Sequence, residues 1–493
     1  MHRLIYLSVF LLLHLNMFSQ FEVEWQTNFG GRGDDEVIEL INTKDGGYLS
    51  CGHTWSDDID QSNVSGERDV LISKFSEEGR LIWNRRFGGS GFDSAIKCIE
   101  ISEGFVFLGR TRSNDKDISH NHGSFDFWVV KITIEGELEW EETYGGQELD
   151  LAHDIIHTND GGFAIIGTTS SIQPQFLGQE VLVVKISSSG KEEWHRNYGG
   201  TQNDTGIMIH QENDDSFIIA GTTFSDELAF LRSESDYFIA KLSGSGEFIW
   251  QKNFGGGPGT NTLLKAQKTN AGLMLMGTHG GNDIWLIHTD ISARLIWQKS
   301  IGGSGDELAN AFVEIEDDGF LFVGETNSTN QIIPNNDPAG DMLIFKLDLS
   351  GKLIWIENFG SNKYDSFKSI VADPSGGYVV VGDTRSNGSN FLLNFGGLDS
   401  WIMKIGLLEE NETNVQASNV SLYPNPTTKT IYINVAEENL DTKYYIQDMI
   451  GQTIISGHLK EERESIDVNS LPAGTYLYRT DTEDNIPYRF VKL

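Results

Sequence analysis

The chain has 493 residues, enough for a large hydrophobic core and for more than one domain. Its 36 basic and 72 acidic residues leave a formal net charge of −36. This composition argues against nucleic acid or an anionic membrane surface as the partner, because binding to either depends on clustered Lys and Arg side chains.

The first predicted element is an N-terminal signal peptide. Arg3 precedes an apolar run from Leu4 to Leu13, and the small residue Ser19 follows at the point where cleavage is expected. The run is too short to span a membrane, and its charge pattern is that of a secretory signal. We therefore expect residues 1–19 to be removed, and no later segment is apolar enough over about 18 residues to span a membrane.

A tryptophan-led motif such as WNRRFGG, residues 83–89, follows and occurs seven times. Its tryptophans are Trp25, Trp83, Trp140, Trp194, Trp250, Trp297 and Trp355, spaced 47 to 58 residues apart. Repeats of roughly 40–50 residues with four strands each are typical of β-propeller blades. Each repeat contains four strand-like segments, named A to D here, which in the second repeat are AIKCIEI, GFVFLGRT, FWVVKIT and ELEWEETYGG.

The two ends of the repeated region complete each other. The first segment, VEWQTNFGG, is a strand D without strands A to C before it, and the last repeat stops after DSWIMKI without a strand D. A closed ring leaves no unprotected sheet edge. The sequence therefore predicts an all-β fold with a seven-bladed β-propeller over residues 20–405, in which the N-terminal strand completes the last blade. An open β-solenoid is the alternative.

The repeat pattern W-x-x-x-(F/Y)-G-G, D-G-G, G-x-T-x-S and D-x-W-x-x-K resembles the bacterial β-propeller repeat proteins over about residues 21–405. The resemblance implies a fold but no shared activity, because propellers host unrelated functions. We interpret the paired glycines as an inter-blade turn. A phosphate-binding loop would need a helix after it, and here a strand follows.

An acidic residue begins strand A in six repeats. These residues are Asp35, Asp93, Asp150, Asp204, Glu307 and Asp365. A carboxylate that accepts hydrogen bonds from turn amides explains the position. The alternative is a ring of carboxylates at the channel mouth that binds Ca²⁺ through oxygen ligands. No other cofactor is predicted.

The G-x-T-x-S signature at the end of strand B does not indicate a catalytic serine. No histidine recurs in step with Ser56, Ser113, Ser171, Ser225, Ser328 and Ser386, so we interpret these hydroxyls as partners of backbone groups. The two cysteines, Cys51 and Cys98, align with apolar residues of the other repeats. They are predicted core residues, and a disulfide between them is the alternative that export allows.

The repeats differ most in their B–C connections, which share one end of the blades with the inter-blade turns. This end is called the B–C face. Ligand sites tend to lie on long loops held by a rigid frame, so we predict the ligand site there. His120 and His122, with Asp115 and Asp117, are metal-ligand candidates in one loop. A third imidazole or Cys is lacking nearby, and a solvated loop is the simpler interpretation.

The repeat pattern stops after Ile405. Residues 406–417 are polar and acidic and predict a linker, and residues 418–493 predict a small β-sandwich domain. Its ordered motifs, which include Tyr423, Pro424, Asn425 and Pro426, then Gly474, Thr475 and Tyr476, and finally Lys492, resemble the C-terminal sorting domain of the type IX secretion system (Por secretion tail, type A). The resemblance implies a Gram-negative bacterium, the type IX machinery as a partner, and export through the periplasm to the cell surface or beyond. An ordinary β-sandwich binding module is the alternative.

These observations favour an exported, non-enzymatic β-propeller that binds a glycan or a protein on its B–C face. Against an enzyme, no repeat carries a nucleophile–base pair or a run of metal ligands that the other repeats lack. Two alternatives stay open. One is an extracellular polysaccharide hydrolase or lyase with its site at the channel mouth, and the other is a structural or adhesive surface component.

Overall fold

The computed structural model describes residues 21–59, 66–171, 178–225, 234–255, 259–280, 282–328, 340–360, 363–386 and 397–407, and shorter segments between 421 and 492. The chain divides into two compact units, Met1–Leu408 and Glu409–Leu493. Every regular element in the described segments is a β-strand. No helix among these residues is long and apolar enough to cross a bilayer. The predicted signal peptide lies outside the described residues.

Seven four-stranded antiparallel sheets form the first unit, and each is one blade with strands in the order A-B-C-D. Blades 1 and 2 are β2 Asp35–Asn42, β3 Tyr48–Thr54, β4 Asp69–Phe75 and β5 Leu81–Phe87, then β6 Asp93–Ile101, β7 Gly104–Thr111, β8 Asp126–Ile132 and β9 Leu138–Tyr144. Blades 3 and 4 are β10 Asp150–His157, β11 Phe163–Thr169, β12 Glu180–Ile186 and β13 Glu192–Tyr198, then β14 Asp204–Gln211, β15 Phe217–Thr223, β16 Asp236–Leu242 and β17 Phe248–Phe254. Blades 5 and 6 are β18 Asn261–Lys268, β19 Gly272–His279, β20 Asp283–Asp290 and β21 Leu295–Ile301, then β22 Glu307–Ile315, β23 Gly319–Thr326, β24 Asp341–Leu347 and β25 Leu353–Phe359. Blade 7 is β26 Asp365–Ala372, β27 Tyr378–Thr384, β28 Asp399–Leu407 and β1 Phe21–Phe29.

The blades close into a ring with strand A innermost. Each strand A contacts the strand A of the next blade, and the contact of β26 with β2 completes the circle. Strands B and C are buried along most of their length, for example β3 and β4, because neighbouring blades cover both faces of each sheet. The hydrophobic clusters accordingly lie between blades, as where Leu49 of blade 1 packs with Phe107 of blade 2.

The N-terminal strand completes blade 7, as the sequence predicts. Strand β1 pairs antiparallel with β28, with Phe21 opposite Leu407 and Phe29 opposite Ser400. The predicted end of the propeller at residue 405 is two residues short, because β1 also provides partners for Gly406 and Leu407. The rest of the predicted linker, residues 408–417, lies outside the described part of the chain.

The second unit contains two antiparallel sheets. One is β29 Ser421–Tyr423, β30 Thr430–Asn434 and β33 Arg463–Asp467; the other is β32 Thr453–His458, β31 Lys443–Gln447, β34 Gly474–Thr480 and β35 Tyr488–Lys492. Ile431 of the first sheet shares a hydrophobic cluster with Ile446 and Tyr478 of the second, which is the packing of a small β-sandwich.

Candidate binding site

The six predicted acidic residues are each buried at the first position of strand A, directly after the inter-blade turn. The carboxylate of Asp93 accepts hydrogen bonds from the Gly89 N–H at 2.8 Å, from the Ser113 hydroxyl at 2.7 Å and from the Thr111 hydroxyl at 2.5 Å. At least two bonds of this kind reach each of Asp35, Asp150, Asp204, Glu307 and Asp365.

The carboxylates therefore stabilise the inter-blade turns that precede them. Among the described His, Cys, Asp and Glu side chains, the only group of three with ligand atoms within 4.8 Å of one another is Glu39, Cys51 and Cys98, which includes none of the six acids. Calcium binding at the channel mouth stays a prediction.

The repeated serines bond to backbone groups of the same turns. The Ser113 hydroxyl accepts a hydrogen bond from the Gly91 N–H at 2.8 Å, and the Ser113 N–H donates to the Thr111 hydroxyl at 3.0 Å. Ser56 repeats both bonds with Gly33 and Thr54. The described contacts of these serines thus hold the end of strand B against the inter-blade turn.

The seven A strands surround a central cavity of about 620 Å³. Every strand A contains one β-bulge against strand B, and the bulged residue lines the cavity in each blade. These residues are Ile38, Ile96, His153, Ile207, Leu264, Asn310 and Lys368. A bulge re-aims the side chain next to it, and here it places one residue of each blade into the channel.

Carboxylates in the channel connect consecutive blades. Strand A is the inner edge of its sheet, so it has N–H groups with no neighbouring strand. Glu39 of blade 1 accepts a hydrogen bond from the Cys98 N–H of blade 2 at 3.1 Å, and Asp154 of blade 3 accepts one from the Ile209 N–H of blade 4 at 2.9 Å. Asp154 also lies 2.6 Å from the Lys97 ammonium. Burial opposes the charge of Lys97, but the Asp154 and Glu39 carboxylates prevail and raise its pKa.

Three positions of each blade meet at the mouth of the channel on the B–C face. They precede strand A, follow strand B and precede strand C, and backbone hydrogen bonds join them. In blade 2 the Arg112 N–H donates to the Phe92 carbonyl at 3.0 Å, and the Asp93 N–H donates to the Arg68 carbonyl of blade 1 at 2.7 Å. The same two backbone bonds recur in every blade except blade 5, where the Asn261 N–H donates to the Ser235 hydroxyl at 2.8 Å, so the side chains decide how the other blades differ.

Blades 1 and 2 present an aromatic–arginine patch at this mouth, which consists of Trp55, Arg68, Phe92, Arg112 and Phe125. The guanidinium carbon of Arg68 lies 3.3 Å from the centre of the Phe92 ring and 5.2 Å from that of Trp55. Phe92 packs edge-on against Phe125 at 5.4 Å, and Arg112 lies 5.7 Å from the Phe125 ring. Trp55 is 44% exposed, so the ring is available to a ligand.

A pocket of about 310 Å³, called the mouth pocket, lies where blades 7 and 1 meet. Its lining residues are Glu36, Tyr364, Lys368, Asp383, Arg385 and Leu398. His53 connects it to the aromatic–arginine patch, since the His53 Nε2 lies 3.1 Å from a Glu36 oxygen and 3.1 Å from an Arg68 nitrogen.

The two carboxyl groups of the mouth pocket are shifted in opposite directions. The contact with His53 lowers the pKa of Glu36. Burial raises the pKa of Asp383 to about 7, although the charge of Lys368 and the hydrogen bond from the Val37 N–H oppose the shift. Near neutral pH the pocket therefore combines an ionised carboxylate with one that is partly protonated.

The rest of the mouth is more polar, although Leu149 of blade 3 and Phe224 of blade 4 also lie at these positions. In blades 3 to 6 the corresponding positions include Ser170, Gln179, Asn203, Asn282, Asp306 and Asn327. In the 113–126 loop the His120 and His122 rings lie 4.6 Å apart, but they form no group of three close ligand atoms with Asp115 or Asp117, which accept bonds from the Ser90 and Gly88 N–H groups. Large parts of the other predicted B–C loops, residues 60–65, 172–177, 226–233, 329–339 and 387–396, lie outside the described residues.

The sequence interpretation missed the aromatic–arginine patch and the mouth pocket. Residues of the patch and of the pocket lie next to the repeated Asp that begins strand A or the repeated Thr that ends strand B. The sequence predicts a structural role for that Asp and that Thr. Comparison of these flanking positions between repeats is the signal that could have found them. Phe92 and Tyr364 are aromatic where blades 4 and 6 have Asn203 and Asp306, and Trp55 occupies the position of Asn327 in blade 6 and of Phe224 in blade 4.

A comparison with protein-family models matches residues 421–491 to the secretion system C-terminal sorting domain. The tail is a type IX sorting domain. The match contains Tyr423 to Pro426 and Gly474 to Tyr476 and ends one residue before Lys492. The tail directs export to the cell surface or the extracellular space, and it implies interaction with the type IX machinery.

The described parts of the sorting motif belong to the sandwich. Tyr476 is buried, and its hydroxyl donates a hydrogen bond to the Pro472 carbonyl at 2.9 Å. Gly474 pairs with Lys492 in the sheet, and Lys492 is also buried. Tyr423 lies in β29, and Pro424, Asn425 and Pro426 lie outside the described segments.

Several solved structures are similar to the chain at low identity. The Pan2 WD40 domain of Neurospora crassa is 11% identical, with 79% of this chain and 96% of that chain covered and a TM-score of 0.43. Sqt1 from Chaetomium thermophilum is 10% identical, with 78% and 100% covered and a TM-score of 0.40. PorZ, a surface component of the type IX secretion system of Porphyromonas gingivalis, is 10% identical, with 97% and 86% covered and a TM-score of 0.26. No curated protein matches the sequence significantly.

Proposed function

We propose that this exported protein is a non-enzymatic binding protein that recognises an acidic glycan at the aromatic–arginine patch. The exposed ring of Trp55, flanked by the guanidinium of Arg68, is the observation that carries the proposal. An indole face packs against the apolar face of a sugar ring, and a guanidinium pairs with a carboxylate or sulfate group. Among the described mouth positions of blades 3 to 6, Leu149 and Phe224 are large and apolar, but no tryptophan lies beside a guanidinium there.

The local charge supports an anionic ligand. The chain as a whole has a net charge of −36 and repels most anions at long range. At the mouth, however, Arg112 belongs to the patch, and Arg385 and Lys368 line the mouth pocket, where Lys368 lies 3.6 Å from a Glu325 oxygen. Their charge is partly used within the protein, since Arg112 pairs with Glu67 at 2.6 Å and Arg385 with Asp34 at 3.3 Å. The ligand must therefore make several weak contacts, as extended polysaccharides do.

The test is a binding titration of the purified full chain with a polyuronate and with a neutral glucan of similar length. Trp55→Ala should weaken polyuronate binding by roughly ten-fold or more, because a buried aromatic contact is worth about 1–3 kcal/mol. Arg112→Ala should also weaken polyuronate binding, and it should reduce the dependence of that binding on salt. Asn327→Ala, at the position of Trp55 in blade 6, is the matched control and should bind like the wild type. Unchanged binding in both the Trp55 and the Arg112 variants would refute the proposal.

A second candidate, an extracellular polysaccharide hydrolase or lyase, is favoured by the mouth pocket. Opposite pKa shifts of two neighbouring carboxyl groups are the arrangement that assigns a general base and a general acid. Glu36 would be the base and Asp383 the acid. The assay is release of reducing ends or unsaturated products from a panel of polysaccharides. Turnover that is lost in both Glu36→Gln and Asp383→Asn would support this candidate, and turnover that survives in either variant, or none in the wild type, would eliminate it.

A further inference from the structure

The two cysteines of the chain meet at one blade interface. Cys51 lies in β3, strand B of blade 1, and Cys98 lies in β6, strand A of blade 2. Both are buried, with 1% and 0% exposure, and their sulfur atoms lie within 4.8 Å of each other. No other cysteine occurs in the sequence, which contains two.

The same contact exists at the other six interfaces with apolar residues on both sides. A strand B residue of one blade shares a hydrophobic cluster with a strand A residue of the next, in the pairs Leu108 and Ile155, Ile166 and Ile209, Ala220 and Ala266, Met276 and Phe312, Val323 and Ile370, and Val381 and Leu40. Packing alone explains a cysteine at either position. It does not explain why both cysteines of the chain occupy the two sides of one contact.

We infer that Cys51 and Cys98 form a disulfide in the exported protein and thereby tie blade 1 to blade 2. The sorting tail sends the chain out of the cytoplasm, and disulfides form and persist in the oxidising environments outside it. The bond would close a loop that contains strands C and D of blade 1, and it would lock the two blades at their inner side.

A metal site is the competing use of the same residues, because Glu39 lies with the two sulfurs. However, Glu39 already has a partner in the Cys98 N–H of the next blade. At the interface of blades 3 and 4, Ile166 and Ile209 occupy the positions of the two cysteines. Asp154 there accepts the corresponding hydrogen bond from the Ile209 N–H. The carboxylate is thus explained by the inter-blade hydrogen bond.

The bond requires a two-electron oxidant. Two thiols lose two protons and two electrons, and the disulfide of a thiol oxidoreductase in the periplasm is reduced to its dithiol in exchange. One cysteine thiolate attacks that disulfide, and the second then displaces the enzyme from the mixed disulfide. Because both sulfurs are buried in the closed ring, the reaction would occur before blade 2 has packed fully against blade 1.

The test is thiol alkylation of the full chain purified after export. Under denaturing conditions the untreated protein should take up no iodoacetamide, and it should take up two labels only after reduction. A digest without reductant should contain one cross-linked peptide pair with Cys51 and Cys98. Reduction should lower the melting temperature by a few degrees, as the loss of a native disulfide does.

The matched control is the double variant Cys51→Val and Cys98→Leu, which copies the apolar pair Val381 and Leu40 of the contact between blades 7 and 1. Its melting temperature should not respond to reductant. Two alkylated thiols in the unreduced wild type would overturn the inference, and so would stoichiometric metal bound to an uncrosslinked pair. None of these outcomes depends on whether the mouth binds a glycan.

Discussion

At the scale of single residues, a repeated glycine of one blade contacts a repeated tryptophan of the preceding blade. The glycine of the C–D turn in one blade lies against the tryptophan of strand D in the preceding blade, as for Gly136 and Trp83 or Gly190 and Trp140. These glycines have positive φ angles, for example 82° at Gly136, which other residues adopt only with strain. A side chain there would also collide with the indole. In five blades one contact therefore constrains both members of the repeat, whereas in blade 5 Ala293 occupies the glycine position with a φ angle of 58°.

Among these C–D turn glycines, Gly79 should be the least tolerant of substitution. A Cβ at Gly79 would lie 2.2 Å from the Trp25 ring, and the φ angle is 71°. At Gly161 the φ angle is 84°, and nothing lies within 4 Å of such an atom. Gly161→Ala should lower stability only by the cost of the left-handed conformation, about 1–2 kcal/mol. Gly79→Ala should add a packing cost of about 1–3 kcal/mol.

Thermal unfolding of the two glycine variants beside the wild type checks the difference. Equal losses in both variants would mean that the Trp25 contact contributes nothing. An additional shift of near-ultraviolet circular dichroism in the Gly79 variant alone would locate the change at an aromatic side chain.

Asp383 should make the stability of the propeller depend on pH. Its pKa is raised by burial to about 7, above the usual value of about 3.9 in an unfolded chain. The folded state therefore binds one more proton between these values, and the wild type loses stability as pH rises from about 4 to 7. Asp383→Asn should flatten this part of the profile by on the order of 2–4 kcal/mol, the equivalent of a shift of about three pKa units.

The pH profile is measured by denaturant unfolding at several pH values from 5 to 8. Lys368 faces the same pocket and stays charged throughout, so Lys368→Gln provides a second profile. If the wild type and Asp383→Asn differ by a constant amount at every pH, Asp383 does not titrate in this range.

At the scale of elements, strand β1 decides whether the ring is closed. It is the only described strand of blade 7 that comes from the other end of the propeller sequence. Phe21 is fully buried in the cluster shared by blades 6 and 7, whereas the neighbouring Glu22 is exposed. At the start of β1, where Phe21 is buried and Glu22 and Glu24 are exposed, the pattern is that of an outer strand with one covered face.

Phe21→Ala should lower the free energy of unfolding by about 3–5 kcal/mol, as expected for truncation of a buried phenylalanine. Glu22→Ala in the same strand should change it by no more than about 0.5 kcal/mol. Limited proteolysis should release β1 faster from the first variant than from the second. Equal behaviour of the two variants would show that β1 does not seal blade 7.

The elements were predictable because each repeat carries the same four patterns. Alternating or fully apolar runs identified strands A to D, and the unmatched ends at VEWQTNFGG and DSWIMKI predicted the composite blade. The bulge in strand A was not predictable from one repeat. It follows from the fit of the inner strands around the channel, and the bulged residues, from Ile38 to Lys368, share no residue type.

At the scale of the whole molecule, the net charge of −36 should make stability depend on salt. Like charges repel in the compact state, and at 0.1 M salt the screening length is about 10 Å. The melting temperature should therefore rise by a few degrees between low and moderate NaCl concentration. We expect CaCl₂ at equal ionic strength to give the same rise, because turn hydrogen bonds already occupy the six acids such as Asp93. A larger rise with CaCl₂ would indicate a calcium site.

The site was less predictable than the ring for a physical reason. Trp55, Arg68 and Phe92 are joined only when two blades pack, and each is an ordinary turn-flanking residue in its own repeat. The cysteines were placed correctly in the core from their alignment, but the contact between them depends on the offset of strand B against the next strand A. Repeats reveal what the blades share, and ligand recognition depends on what they do not share.

The pairing of Phe21 with Leu407 has a consequence for how the protein is made. Strand β1 has no partner until β28, the last propeller strand, has also been exported, so the ring cannot close before then. Until then neither β1 nor the outer edge of β28 has its partner strand. A chaperone that holds unfolded chains would be most useful in this period. A prematurely terminated chain would never leave that state, which gives quality-control proteases a simple way to recognise it.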